Sequence, residues 1–143
     1  MPRHRVRVPP IELALETTAG PETAWRTVTE PSRVVLWLTD ASPVGPPGSA
    51  YRLDFGEGSV VTGVVVALEP GRRFVHTWAW EGSEVDAATT VEWTVEGTEG
   101  GGSRIRLTHA GWDEAGEGPA ARDDHEAYWA GYLDDLRDIL EGA

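Results

Sequence analysis

The stretch YWAGYLDDLRDIL, residues 128–140, decides the fold. Trp129, Tyr132, Leu133, Leu136, Ile139 and Leu140 recur at three- and four-residue spacing, and His125 extends the same stripe one turn upstream. That is the period of a helix with one buried face. Pro119 stands at its start and Gly142 just past its last apolar residue, which predicts roughly 22 residues and a length of about 33 Å. Trp129, Leu133, Leu136 and Leu140 should be buried on this helix, and Asp134, Asp135 and Asp138 exposed. The segments before it alternate with period two, as strands do. A run of strands closed by one long helix predicts an α+β fold, with an antiparallel sheet wrapped around that helix.

Working outward, RRFVHTWAW (72–80) points Phe74, His76, Trp78 and Trp80 to one side, with Trp80 at the strand end where a rim would lie. TTVEWTVEG (89–97) alternates Val91, Trp93 and Val95 against Glu92, Thr94 and Glu96. In RIRLTHAGW (104–112), Ile105, Leu107 and His109 face opposite to Arg104 and Arg106, which cross-strand pairing with the acids of the neighbouring strand would accommodate. Two more strands come earlier, AYRLDF (50–55) and SVVTGVVVALE (59–69), the second with Gly63 as a candidate bulge. The chain opens with a strand carrying Ile11, Leu13 and Leu15. A Pro21-led helix follows, with Trp25 and Val28 on its buried side, then a second short helix ending near Leu38. The Pro/Gly-rich segment 41–49 reads as loop.

The 143 residues suffice for one domain over 11–143, preceded by a ten-residue N-terminal extension. Hydrophobic content of 40% and charged content of 25% mark a globular chain. No run is long and apolar enough for a membrane helix, no signal peptide is legible, and cysteine is absent, which together suggest a cytoplasmic protein. Net charge is −12, and residues 113–143 carry ten acids against Arg122 and Arg137. Such a surface repels phosphate, so neither nucleic acid nor insertion into a membrane is expected. All twelve basic residues are Arg, and Asn and Gln do not occur.

In this order and spacing the segments resemble the helix-grip fold of the START/SRPBCC superfamily, and within it the activator of heat shock protein 90 ATPase homologue-like family. IELALETTAGPETAWRTVTEPSRVVLWL (11–38), GVVVALEPGRRFVHTW (63–78), SRIRLTHAGW (103–112) and YWAGYLDDLRDIL (128–140) carry the resemblance. It implies a curved sheet gripping the last helix, two short helices after the first strand, and a cavity between sheet and helix. Members bind lipids, polyketides or other apolar molecules, and a few catalyse cyclisation or hydrolysis.

Seven Trp are many for a small core, and five of them (Trp25, Trp37, Trp78, Trp93, Trp129) read as inward. Large rigid rings are hard to close-pack and readily leave a cleft. The expected function is therefore non-covalent binding of an apolar or aromatic, lipid- or polyketide-like small molecule. The walls would be Leu53, Phe55, Phe74, Trp78, Trp93, Leu107, Trp129 and Leu133, with His76, His109 and Tyr132 as polar contacts. The alternatives are a cyclase- or hydrolase-like enzyme using His76 or His109 as base, and a chaperone-interaction module. His76, His109 and His125 come from separate elements without metal-site spacing, so neither a metal nor another cofactor is expected. G-x-S-x-G and G-x-G-x-x-G do not occur. The partner is a hydrophobic small molecule, and the chain a monomer or homodimer. Burial of His76 should hold its pKa below the ordinary value.

Overall fold

A computed structural model describes residues 7–82 and 88–142. Strand β1 (Ile11–Thr17) leads into helices α1 (Pro21–Thr29) and α2 (Pro31–Val34). Strands β2 (Asp40–Ala41), β3 (Ala50–Asp54), β4 (Val60–Glu69), β5 (Arg73–Trp80), β6 (Thr89–Gly97) and β7 (Ser103–Ala110) follow, and helix α3 (Pro119–Leu140) closes the chain. The seven strands form one antiparallel sheet in the order β1-β7-β6-β5-β4-β3-β2. The first strand thus pairs with the last, and α1 and α2 carry the chain from one edge of the sheet to the other. The sheet curls as a half-barrel, with α3 packed against its concave side. This is the α+β arrangement that the change of period predicts and the helix-grip architecture that the resemblance implies. β2 is a two-residue strand within the stretch read as loop, paired through Asp40↔Asp54 and Ala41↔Leu53.

Register brings the inward side chains into rows. Phe74 lies opposite Trp93, which lies opposite Leu107, which lies opposite Leu13. The next row holds His76, Val91, His109 and Ile11. On the convex face Glu96 pairs in register with Arg104, whose guanidinium also meets Glu16. Arg73 meets Glu69 and Glu92. These pairs are exposed and screened, so they fix register more than they stabilise.

Gly63 is not the bulge. The register of β4 on β5 shifts between Val65 and Ala67 instead. At Gly63 a Cβ would meet the Thr77 carbonyl oxygen at 2.0 Å, so glycine is required there for close backbone approach. Other departures lie in the helices. α2 ends at Val34 and continues as a hydrogen-bonded turn, with Leu38 N donating to Val34 O. Trp25 is only half-buried, because the inner side of α1 is taken by Ala24, Thr27 and Val28.

On α3, Trp129, Leu133 and Leu136 are buried, whereas Ile139 and Leu140 are half-buried as the helix runs past the sheet. Asp134, Asp135 and Asp138 are exposed. Among the described residues no helix is long and apolar enough to cross a membrane. Leu136 is fully buried. Leu136→Ala should therefore lower stability by about 2–5 kcal/mol in denaturant melts. Asp138→Ala should leave it within about 0.5 kcal/mol.

Candidate functional site

Between the first half of α3 and the ends of β3, β4 and β5 lies a cleft of about 490 Å³. Its walls are Phe55, Trp78, Trp80, His125, Tyr128, Trp129 and Tyr132, and the β3–β4 turn adds Gly56, Glu57 and Ser59. Helical spacing produces one wall, since His125, Tyr128, Trp129 and Tyr132 stand at i, i+3, i+4 and i+7. Strand alternation produces the other, with Trp78 and Trp80 at the last inward positions of β5. Phe55 bridges them, its ring centroid 5.5 Å from Trp80, 6.1 Å from Tyr132 and 6.3 Å from Trp78.

Of the residues expected at a site, Phe55, Trp78, Trp129 and Tyr132 line this cleft. The other seven do not reach it. Leu53, Phe74, Trp93, Leu107 and Leu133 are packed in the core, as are His76 and His109. The physical reason is depth along the strand. Phe74 and Trp93 lie where Trp37 and Tyr51 fill the sheet–helix gap: Trp37 meets Trp93 edge-on at 5.7 Å, and Tyr51 meets Phe74 at 5.3 Å. Trp129 closes against Trp93 at 5.7 Å, leaving the opening only towards its other side.

Behind the cleft wall runs a chain of hydrogen bonds whose directions can be worked out. Trp129 Nε1 donates to His109 Nδ1 at 3.0 Å, so that nitrogen is bare. His109 Nε2 therefore carries the proton and donates to Thr89 Oγ1 at 2.7 Å. Thr89 Oγ1 in turn donates to the Trp78 carbonyl at 3.3 Å. His125 is fixed in the opposite tautomer. Its Nδ1 donates to the Ala121 carbonyl at 2.7 Å, and its Nε2 accepts from Trp80 Nε1 at 3.0 Å. His76 Nδ1 donates to the Thr77 carbonyl at 2.9 Å. His109 and His125 come within 5.5 Å ring to ring, so two of the three histidines meet, but with both nitrogens of each already engaged. Among the described residues, Trp78 Nε1 alone is a buried side-chain polar atom without a partner. No group of three His, Asp or Glu side chains is placed to hold a metal ion, again among the described residues.

Sequence patterning missed Trp112. Continued alternation after His109 would turn it outward, but Gly111 at φ 91° reverses the chain. Trp112 is buried, 4.4 Å from the His109 ring and 5.0 Å from that of His125, and donates to the His109 carbonyl. Tyr128 was also missed, although its spacing from His125 and Tyr132 would have found it. The GEG turn at 56–58 offered only a loop signal.

The family pattern described as "Activator of Hsp90 ATPase homolog 1-like protein" matches residues 18–141, all but β1 and the termini. The chain belongs to this family. Among solved structures, the Aha1 dimer from Colwellia psychrerythraea is 25% identical, with a TM-score of 0.79 over 93% of this chain and 96% of that one. DynU16, from the dynemicin biosynthetic locus, is 24% identical with a TM-score of 0.81, over 93% of this chain. This chain spans about half of DynU16, 47% of its length. CalU16 from Micromonospora echinospora is 22% identical with a TM-score of 0.76, over 93% of this chain and 74% of that one. No curated protein matches the chain.

Burial holds the His76 pKa down at about 4, against a smaller upward pull from the Thr77 carbonyl. Burial, with His125 and His76 nearby, lowers that of His109 to about 2. The unfolded chain therefore binds these protons more readily than the folded one. Stability should be complete above pH ~6.5 and fall below it by up to about 1.4 kcal/mol per pH unit for each histidine, until the folded-state values are reached. Unfolding free energies at pH 7.5 and 5.5 should differ by about 2–3 kcal/mol. NMR should show neither His76 nor His109 titrating above pH 5. A ring titrating near 7 would contradict its bonding as described.

Proposed function

We propose that the protein binds an apolar or aromatic small molecule, lipid- or polyketide-like in size and polarity, in the cleft between α3 and the ends of β3–β5. The observation that carries this reading is the cleft's make-up: six aromatic side chains around about 490 Å³. That is within the size range of small-molecule sites and has their usual apolar lining. Phe55, Trp78, Trp129 and Tyr132 are the contact residues proposed from both sequence and geometry, and Trp80 and Tyr128 join them.

Binding is favoured over a cyclase- or hydrolase-like reaction by the bonding of the histidines. A general base must reach the substrate with a free lone pair. His109 and His125 have both nitrogens engaged, and His76 lies in the core behind Trp78. DynU16 lies in a biosynthetic locus by its own description, which is compatible with small-molecule handling.

A neutral solvatochromic dye such as Nile red should bind saturably at one site, with its emission shifted to the blue. Tyr132 is half-buried and exchangeable without opening the core. Tyr132→Ala should weaken binding roughly five-fold, the loss of about 1 kcal/mol of aromatic contact, while leaving the fold intact by circular dichroism. Dye uptake that never saturates, or that Tyr132→Ala does not change, would refute the assignment.

A further inference from the structure

We infer that the ligand of this cleft is an organic cation, an apolar or aromatic molecule carrying an amine or quaternary ammonium group, with Glu57 as its counter-charge. The inference rests on the binding role proposed above and adds the ligand's charge to it.

The first observation is what the walls present. Trp80, Phe55, Tyr132, Tyr128 and Trp129 converge from three elements, and an aromatic face carries negative π density. Rings that turn their faces to one space attract an ammonium group, most strongly when Trp takes part. The second is charge. Among the described residues, the cleft's one charged lining residue is the carboxylate of Glu57, and no Arg lines it. Arg122, one turn before Glu126 on α3, is turned away: it donates to the carbonyls of Pro9 and Pro10 and pairs with Asp123 and Glu126.

The surroundings have the same sign. Asp124 and Asp135 lie on the helix edge that carries Tyr128, four residues before it and seven after. Asp135 also acts on Tyr132, whose pKa is raised by burial first and then by this charge. On the far side of Phe55 a shallower depression is bordered by Asp40 and Asp54, and Arg52 pairs with the latter at 3.6 Å. An anionic ligand would meet repulsion from Glu57 and from the acids of α3, whereas a cation would gain from both the rings and the field.

Glu57 itself is held in an uncommon backbone state. Among the described residues it is the one non-glycine with positive φ, at 54°, between Gly56 at 88° and Gly58 at 82°. A glycine would adopt this conformation without steric cost, yet the turn places a carboxylate there, at the cleft.

The test compares isosteric probes by NMR, following the indole N–H signals of Trp78, Trp80 and Trp129. 4-(Trimethylammonio)benzyl alcohol and 4-tert-butylbenzyl alcohol differ by a charged nitrogen in place of a carbon, and 4-(hydroxymethyl)benzenesulfonate supplies the anion. The ammonium probe should bind roughly 2- to 30-fold more tightly than the tert-butyl probe, and the sulfonate most weakly. Glu57→Gln, a change at an exposed position, should reduce that preference, read as the ratio of the ammonium to the tert-butyl affinity. If the tert-butyl probe binds as tightly as the ammonium, or the preference survives Glu57→Gln intact, the cation assignment is overturned while the apolar-binding role stands. If no probe moves the indole signals, both fall.

Discussion

The bond from the Trp129 indole to the His109 imidazole holds helix and sheet in one relative position. It is buried on both sides and joins the middle of α3 to the end of β7, the strand beside the β1 edge of the sheet. Because it also dictates the tautomer of His109, it propagates through Thr89 to the backbone of β5 at Trp78. One donor on the helix thus determines where the cleft wall stands on the strand. Breaking such a chain at any member leaves a buried polar group unmet, at about 1–3 kcal/mol. A helix held by aliphatic contacts alone could slide by a fraction of a turn at little cost. The Trp–His bond removes that freedom, and the parallel bond from Trp80 to His125 removes it again one turn earlier.

The two halves of α3 then behave differently because their inner side chains differ in shape. Leu133 and Leu136 pack into the sheet with few gaps, and the core there is closed. His125, Tyr128, Trp129 and Tyr132 are planar, and planar rings from three elements meet at angles that leave space between them. Trp129 belongs to both halves: one side seals the core against Trp93, and the other forms cleft wall with Tyr132, 6.3 Å away. The cleft follows from the same aromatic excess that gives the core its rigidity.

The architecture was legible in the sequence because each element declares its period: two for β5, β6 and β7, and three to four for α3. Inwardness was legible for the same reason: Leu53, Phe74, Trp93 and Leu107 on the strands and Leu133 on α3 are all buried. Distance along the strand was not legible. Alternation distinguishes two faces but says nothing of which inward residues meet a partner across the gap and which meet open space. That depends on Trp37 and Tyr51, which reach Trp93 and Phe74 from distant elements. Trp112 was hidden by a single backbone inversion at Gly111, and the GEG turn by having no side-chain pattern to read.

Holding His76 and His109 behind the wall, and His125 within it with both ring nitrogens engaged, also shapes what a ligand in this cleft would experience. The imidazoles are saturated by their own partners, so the surface left to a ligand is mainly aromatic, with the hydroxyls of Tyr128, Tyr132 and Ser59 and the carboxylate of Glu57 as its polar groups. A site of that kind sorts molecules by size, flatness and charge. It sorts poorly by the pattern of hydroxyls and carbonyls, since sharp rejection of an analogue needs buried groups that the analogue leaves unpaired. A cleft built in this way would suit a set of related molecules sharing a flat apolar body.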